Sequence, residues 1–251
     1  MPRFFIASKK IIPKEIVALS REEGKHLQVL RLKAGEMITI SNGEGDEFLA
    51  EIIKITTKES LLFIREKKES FHVPKKPLLI LGQAIPRFSK MEFILQKGTE
   101  LGIDTIYPLK TERSYISSAD LNPKRWERWN RIVQEAGKQS GRSLFPELKK
   151  PLALNEFLKK PFHLKLLLWE AEKSQSIGTV LKSFPKGPDA ISILIGPEGG
   201  FTHDEAKRAK TAGYHCVSFG PWIMRAETAS LAIVSILQYE WGDFNFKTTK
   251  E

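Results

Sequence analysis

ISILIGPEGGFTHDE, residues 191–205, and CVSFGPWIMRAETASLAIVSILQYEW, residues 216–241, decide the fold of this chain. Each begins as a short apolar run, stops at a Gly-Pro turn, passes through an irregular loop and enters a helical pattern. Short apolar runs of this kind read as buried strands. Two loops at the carboxyl ends of neighbouring strands are where an open α/β sheet holds a small ligand. The glycines permit close backbone approach and the prolines fix the turns. Only Glu198, Arg225 and Glu227 bring charge to these loops, so chemistry is sought there first.

Upstream, strand and helix alternate from Leu78 onward. LLILGQAI, IDTIYPL and LKLLLWE read as three more strands. Ser89 and Glu92 have the spacing of a capping box for a helix that ends at Gly102. Residues 123–140 form a long helix with Pro123 in its first turn. Thr202 and Glu205 cap a further helix that ends at Gly213. The last helix, from about Glu227 to Trp241, is apolar nearly all round, which fits either burial or an oligomer interface. Such alternation implies a mostly parallel sheet with helices on both faces.

The first 71 residues differ. Ser20 and Glu23 predict a capped short helix, and EMITISNG, EFLAEIIKIT and SLLFIRE alternate as strands around an Asn42-Gly43 hairpin turn. A small β-barrel-like domain fits, with the polar, proline-ended stretch 66–77 as linker.

The 251 residues carry a net charge of +10 at pH 7, which favours a polyanion partner, above all nucleic acid. Residues 110–150 hold ten Lys/Arg against five Asp/Glu, half of that excess. Trp126 and Trp129 lie among them, either as stacking platforms or, for at least one, as core. No apolar run is long enough to span a membrane, and the N-terminus lacks a signal peptide's apolar stretch. A single cysteine, Cys216, excludes an internal disulfide framework, fits a reducing cytosol and reads as a small core residue. No P-loop, dinucleotide-binding glycine fingerprint, metal-ligand spacing or nucleophile elbow occurs.

GPEGGF followed by T-x-x-E, together with FGPWIMRAETA, closely resembles the signature of the SPOUT-type RNA methyltransferases. More narrowly, it resembles the bacterial family that methylates N3 of a uridine in small-subunit (16S) ribosomal RNA. HLQVLRLKAGE (26–36), QKGTELGIDTIYPLKTERS (96–114) and RWNRIVQEAGKQSGR (128–142) are similar to the family's other motifs, in the expected order. One departure is local: Gly137 and Lys138 stand where an alanine and an acid are expected.

The resemblance implies a PUA-like RNA-binding β-barrel domain over residues 1–72 and a SPOUT α/β methyltransferase domain over 73–251. It also implies a C-terminal trefoil knot, S-adenosylmethionine as methyl donor, and a cytoplasmic homodimer packed through the knotted region. The implied partner is ribosomal RNA or the small ribosomal subunit, with no metal and no membrane. The donor's adenine is then expected against the backbone of Ile195, Gly196, Phe219, Ile223 and Met224. Gly199, Gly200 and Gly220 leave room for backbone approach, and Thr228 and Ala229 close the pocket.

Methylating uracil N3 requires loss of the imide proton, and a guanidinium near O2 and O4 favours the resulting anion. Arg225 is the first candidate and Arg142 the second. Alternatively Arg225 serves as a structural partner of Glu198 or Glu227. Glu198 either faces the cationic donor or organises its loop. His26, Arg31 and Lys33 of the N-terminal motif, with Arg125 and Arg128, are the expected RNA contacts. Two rival functions stay open: a SPOUT methyltransferase with another RNA target, ribose 2′-hydroxyl or base, and a non-catalytic RNA-binding assembly factor.

Overall fold

The computed structural model describes residues 1–6, 11–56, 59–68, 77–115 and 122–245. The expected domain boundary at residue 72 and residues 69–76 of the expected linker lie outside them, while Glu66 and Lys67 of that stretch belong to a strand. The chain divides into two compact units, Met1–Val73 with Gln134–Phe145, and Pro74–Val133 with Pro146–Glu251.

The N-terminal unit is built on a five-stranded sheet of β1 (Arg3–Phe5), β2 (Ile16–Ala18), β3 (Met37–Ser41), β4 (Glu47–Ile55) and β5 (Ser60–Lys67). Its order is β1-β3-β4-β5-β2, antiparallel except for β1 beside β3. Strict alternation on β4 and β5 sends Phe48, Ala50, Ile52, Leu62 and Ile64 inward. Register shifts at Leu49/Ala50 and Ile52/Lys54 break the ladder, and bulges of this kind bend a strand. Asn42 does open the β3–β4 hairpin. Its side-chain oxygen accepts from the backbone N–H of Glu44 and of Asp46, so the loop is longer than the two-residue turn Asn-Gly favours.

Helix α1 (Arg21–Val29) sinks Leu27 into this core. Ser20 caps it by accepting from the backbone N–H of Glu23. The Glu23 carboxylate does not complete the expected box: it accepts from the backbone N–H of Phe5 and pairs with Lys138 at 3.0 Å. Arg31 follows the helix with φ +55, the left-handed position that ends many helices and that glycine usually fills.

The C-terminal unit is a parallel α/β layer structure. Its strands are β6 (Leu78–Ala84), β7 (Thr105–Lys110), β8 (Glu147–Leu148), β9 (Leu152–Ala153), β10 (Leu164–Leu168), β11 (Ala190–Ile195) and β12 (His215–Val217). The order is β12-β10-β11-β6-β7-β8, with β9 also pairing β7, and every pairing is parallel. Helices α2 (Phe88–Glu100), α3 (Pro123–Gln139), α4 (Leu154–Leu158), α5 (Ile177–Lys182), α6 (His203–Thr211) and α7 (Ala226–Glu240) connect them.

Strand side chains alternate between two cores, as a doubly covered sheet requires. Leu79, Leu81, Leu164, Leu166, Ile191 and Ile193 pack with α2, α3, α5 and α7. Ile80, Leu167 and Leu194 pack with α4 and α6. Trp129 is fully buried in the first core and Trp126 packs against it, so Trp129 is no stacking platform. Helix α2 begins at Phe88, one residue before Ser89, with Arg87 at its N-cap and no side-chain cap bond. Glu92, expected to return to that cap, instead makes a two-pronged bond to Arg128. The Thr202–Glu205 capping box on α6 is complete. On α7, Ala226, Ser230, Ile233, Val234 and Leu237 are buried, while Thr228 and Tyr239 stay exposed. Cys216 is buried and burial pushes its thiol up to about 11, which fits the core role.

Candidate active site

Strand β10 has β11 on one side and β12 on the other, with Leu168 level with both Ile195 and Val217. All three strands run the same way, so their carboxyl ends open on one edge. The chain leaving β11 must pass β10 to reach β12. That change of direction creates the crevice in which α/β sheets bind ligands.

Three loops wall a cleft of about 890 Å³ there: 169–176 after β10, 196–202 after β11 and 218–225 after β12. The second and third are the loops the sequence singles out. Ile195, Gly196, Glu198, Gly199, Gly200, Phe219, Gly220, Ile223, Met224 and Ala229 all line the cleft, as does Arg225. Thr228 is not among the lining residues and faces out from α7. Ile223, 82 % exposed, and Trp222, 79 % exposed, sit on the open 218–225 loop.

The 196–202 loop is held from several sides. Gly200 adopts φ +67, and a side chain there would strike the Glu170 carboxylate. Arg113 donates from Nη1 to the Gly199 carbonyl at 2.7 Å. One Glu198 carboxylate oxygen accepts from the Arg87 backbone N–H at 3.2 Å and lies 3.4 Å from Lys90 Nζ. Burial pushes the Glu198 carboxyl up, but its own and Arg87's backbone N–H and the Lys90 ammonium outweigh this and hold it below its ordinary value.

Lys90 also lies 3.5 Å from Glu227, so one lysine takes both carboxylates once weighed as partners of Arg225. The Arg225 side chain forms no hydrogen bond or ion pair among the described residues. It stands at the N-cap of α7 in extended conformation, exposed to solvent. The structural ion-pair reading of Arg225 is therefore replaced by a Glu198–Lys90–Glu227 bridge, which leaves the guanidinium available.

Sequence reasoning missed the 169–176 loop. It follows an apolar strand as the other two loops do, so the same logic extends to Trp169-Glu-Ala-Glu. Glu172 accepts from Ser174 Oγ at 2.5 Å, from the Ser174 backbone N–H at 2.8 Å and from Lys210 Nζ at 3.3 Å. These bonds lower its carboxyl to about 2. Glu170 lines the same cleft with no hydrogen bond or ion pair among the described residues. Reciprocal backbone bonds, Ser218 N–H to Gln175 and Ile177 N–H to Ser218, lace the first loop to the third.

The remaining candidates fall elsewhere. Arg142 and His26 line a second cleft, of about 350 Å³, within the N-terminal unit. Arg31 and Lys33 are exposed in the turn after α1. Arg125 lies over the ring of Phe88, and Arg128 is bound to Glu92, so both are engaged within the C-terminal unit. Among the described residues no group of His, Cys, Asp and Glu could hold a metal ion, and no helix is long and apolar enough to cross a membrane.

Residues 74–238 match an RNA methyltransferase domain, and residues 19–64 match an RNA methyltransferase PUA domain. Ribosomal RNA small subunit methyltransferase E of Bacillus subtilis (strain 168) is 30 % identical over 96 % of this chain and 97 % of its own length. The protein of the same name from Synechocystis sp. is 34 % identical over 90 % of this chain and 74 % of its own. The structure of ribosomal RNA small subunit methyltransferase E from Neisseria gonorrhoeae, bound to S-adenosyl methionine, is 32 % identical. It superposes with a TM-score of 0.84, covering 97 % of this chain and 99 % of that one. A Legionella pneumophila structure with the bound cofactor SAM gives a TM-score of 0.82 at 33 % identity, covering 94 % of this chain and 96 % of that one. With its two domains matched in order and its relatives aligned nearly end to end, the chain belongs to the ribosomal RNA small subunit methyltransferase E family.

Proposed function

We propose that this protein transfers the methyl group of S-adenosylmethionine to N3 of a uridine in 16S ribosomal RNA. The observation that carries the reading is the three-loop cleft with Arg225 uncommitted on its wall. The cleft fits the donor chemically. Gly220 has no atom within 4 Å of where a side chain would start, which leaves space for a flat ring. Relatives that share the fold have been solved with S-adenosylmethionine bound.

Bound there, the donor supplies an electrophilic methyl on a sulfonium. Glu198, tied to Arg87 and Lys90, acts as organiser of its loop. Glu170, whose carboxylate is unspent, would hold the positive end of the donor. Arg225 lies beside O2 or O4 of the base and favours the N3 anion by charge. It also fixes the ring in line with the methyl. The donor would give up its methyl to N3 once the imide proton has passed to water, so this chain's own share is the charge and the positioning that Arg225 supplies.

The half-exposed outer face of α7 and the bare Trp222 and Ile223 support a homodimer packed through this region. The family also leads us to propose a trefoil knot in the C-terminal unit and action in the cytoplasm.

The test is incubation with radiolabelled S-adenosylmethionine and small ribosomal subunits from a strain lacking the homologue, followed by nucleoside analysis. Label in N3-methyluridine is expected. Label in a 2′-O-methyl nucleoside or another base would overturn the choice of target atom. Absence of donor binding would favour the assembly-factor reading.

A further inference from the structure

Two motifs more than a hundred residues apart, His26 in the first and Arg142 at the end of another, meet in the second cleft, wholly inside the N-terminal unit. Neither is among the residues that line the cleft at the β10–β12 edge. Four rings furnish the walls: Phe5 stacks on Phe145 with centroids 5.1 Å apart, and His26 lies 5.3 Å from Phe4. Gly137, the local departure from the family pattern, makes this wall possible. A side chain there would begin 2.5 Å from the Phe145 ring.

The charges in the cleft are already matched. Lys138, the other departure, is held by Glu23 at 3.0 Å and Glu135 at 3.1 Å. Glu22, Glu23 and Glu135 all line the cleft, so a phosphate would meet carboxylates. The His26 ring nitrogens, by contrast, make no hydrogen bond among the described residues. Aromatic faces, spare hydrogen-bonding edges and compensated charge suit a flat neutral group. The volume, about 350 Å³, lies at the lower end of small-ligand clefts, which start at roughly 300 Å³.

We propose that this cleft is a second RNA subsite, which takes one unstacked base of the substrate RNA against its aromatic lining and reads the base edge with His26. This rests on the RNA-methylating reading above. Single-stranded bases splayed onto aromatic side chains are the usual mode of sequence-specific RNA recognition. Arg142 donates from Nε to the Leu144 carbonyl at 3.0 Å, which orients its guanidinium at the cleft wall.

The test measures binding directly, apart from methyl transfer. Full-length wild type, His26→Ala and Phe145→Leu are titrated with a small-subunit ribosomal RNA transcript at several salt concentrations. Melting temperature and S-adenosylmethionine affinity are read alongside. Each variant should weaken RNA binding about tenfold, the loss of one base stack or edge contact. The slope of affinity against salt and the donor affinity should not move, nor the melting temperature of His26→Ala, while Phe145→Leu, which gives up the stack on Phe5, should melt somewhat lower. A slope reduced by about one would mark a lost phosphate contact and overturn the base assignment. Unchanged RNA affinity in both variants would overturn the subsite altogether, even with methyl transfer at full rate. Conversely, a wild type that binds RNA but transfers no methyl would sink the functional reading, while the loss in the variants would still support the cleft.

Discussion

The Ser230 hydroxyl lies 2.6 Å from the side-chain oxygen of Gln83, and both groups are fully buried. Ser230 belongs to α7 and Gln83 to β6. The Gln83 amide nitrogen donates to the carbonyls of Ala84 at 2.9 Å and Gly196 at 3.3 Å. One amide thus fixes the root of the 196–202 loop and the first turn of the helix after the 218–225 loop. A buried network of this kind holds its members in one geometry only while all are satisfied.

Gln83→Leu keeps the volume and leaves the Gly196 carbonyl without its donor. The loss should be about 1–3 kcal/mol of stability. It should also weaken S-adenosylmethionine binding about tenfold, because both loops lose a common anchor. Calorimetry and thermal melting read these separately. A variant that melts lower yet binds the donor with wild-type affinity would show that the amide is only structural.

Gly200→Ala meets two obstacles. The backbone sits at φ +67, which disfavours any side chain, and the Glu170 carboxylate occupies the place of the new methyl. Destabilisation of about 1–3 kcal/mol is expected. The Glu170 carboxylate ends a flexible side chain and can swing aside, so the backbone strain carries the cost and adding Glu170→Ala should rescue little. Full rescue would refute this assignment.

The pH dependence of stability follows from Glu172. Its carboxyl falls from 4.5 to about 2 in the fold, held down by Ser174 first and Lys210 second. A depressed carboxyl contributes stability that is complete above its unfolded value and disappears as pH falls through the folded one. The contribution is therefore lost between pH 4.5 and about 2. Glu172→Gln should flatten the acid limb of the stability curve over that window, measured by denaturant unfolding at a series of pH values. An unaltered acid limb would mean the Ser174 bonds exist without energetic weight.

The order of elements and the ligand edge were legible in the sequence because each depends on local signals. Apolar runs ended by Gly-Pro place Ile195 at the end of β11 and Phe219 two residues past the end of β12, and Thr202 with Glu205 starts α6 as read. What escaped depends on neighbours distant in sequence. Nothing local marks Lys90 as the cation between Glu198 and Glu227, or Gln83 as a link to Ser230. Ser89 and Glu92 show the same limit from the other side: the box was permitted, but Arg128 offered Glu92 a stronger, charged partner. Strands β8 and β9 were invisible for another reason, since two-residue strands carry no period.

Arg225 bears the sharpest prediction. Its guanidinium is unpaired among the described residues while its carboxylate neighbours are bound to Lys90. On the proposed reading its charge serves the ionising base rather than the donor. Arg225→Ala should lower kcat about 10²–10³-fold, the range for removing one group that stabilises developing charge. Donor affinity should change by no more than about twofold, since uniform binding is not what is lost. Arg225→Lys should restore only part of the rate, because an ammonium supplies charge without the planar fork that meets two oxygens or holds a ring. The alanine variant should also need higher pH for its remaining activity, since the N3 proton must then leave without help from a nearby cation. Single-turnover rates against pH, with donor binding measured by calorimetry, separate these effects. Equal losses in donor affinity and rate would assign Arg225 to cofactor binding; an unchanged pH profile would remove it from the ionisation step.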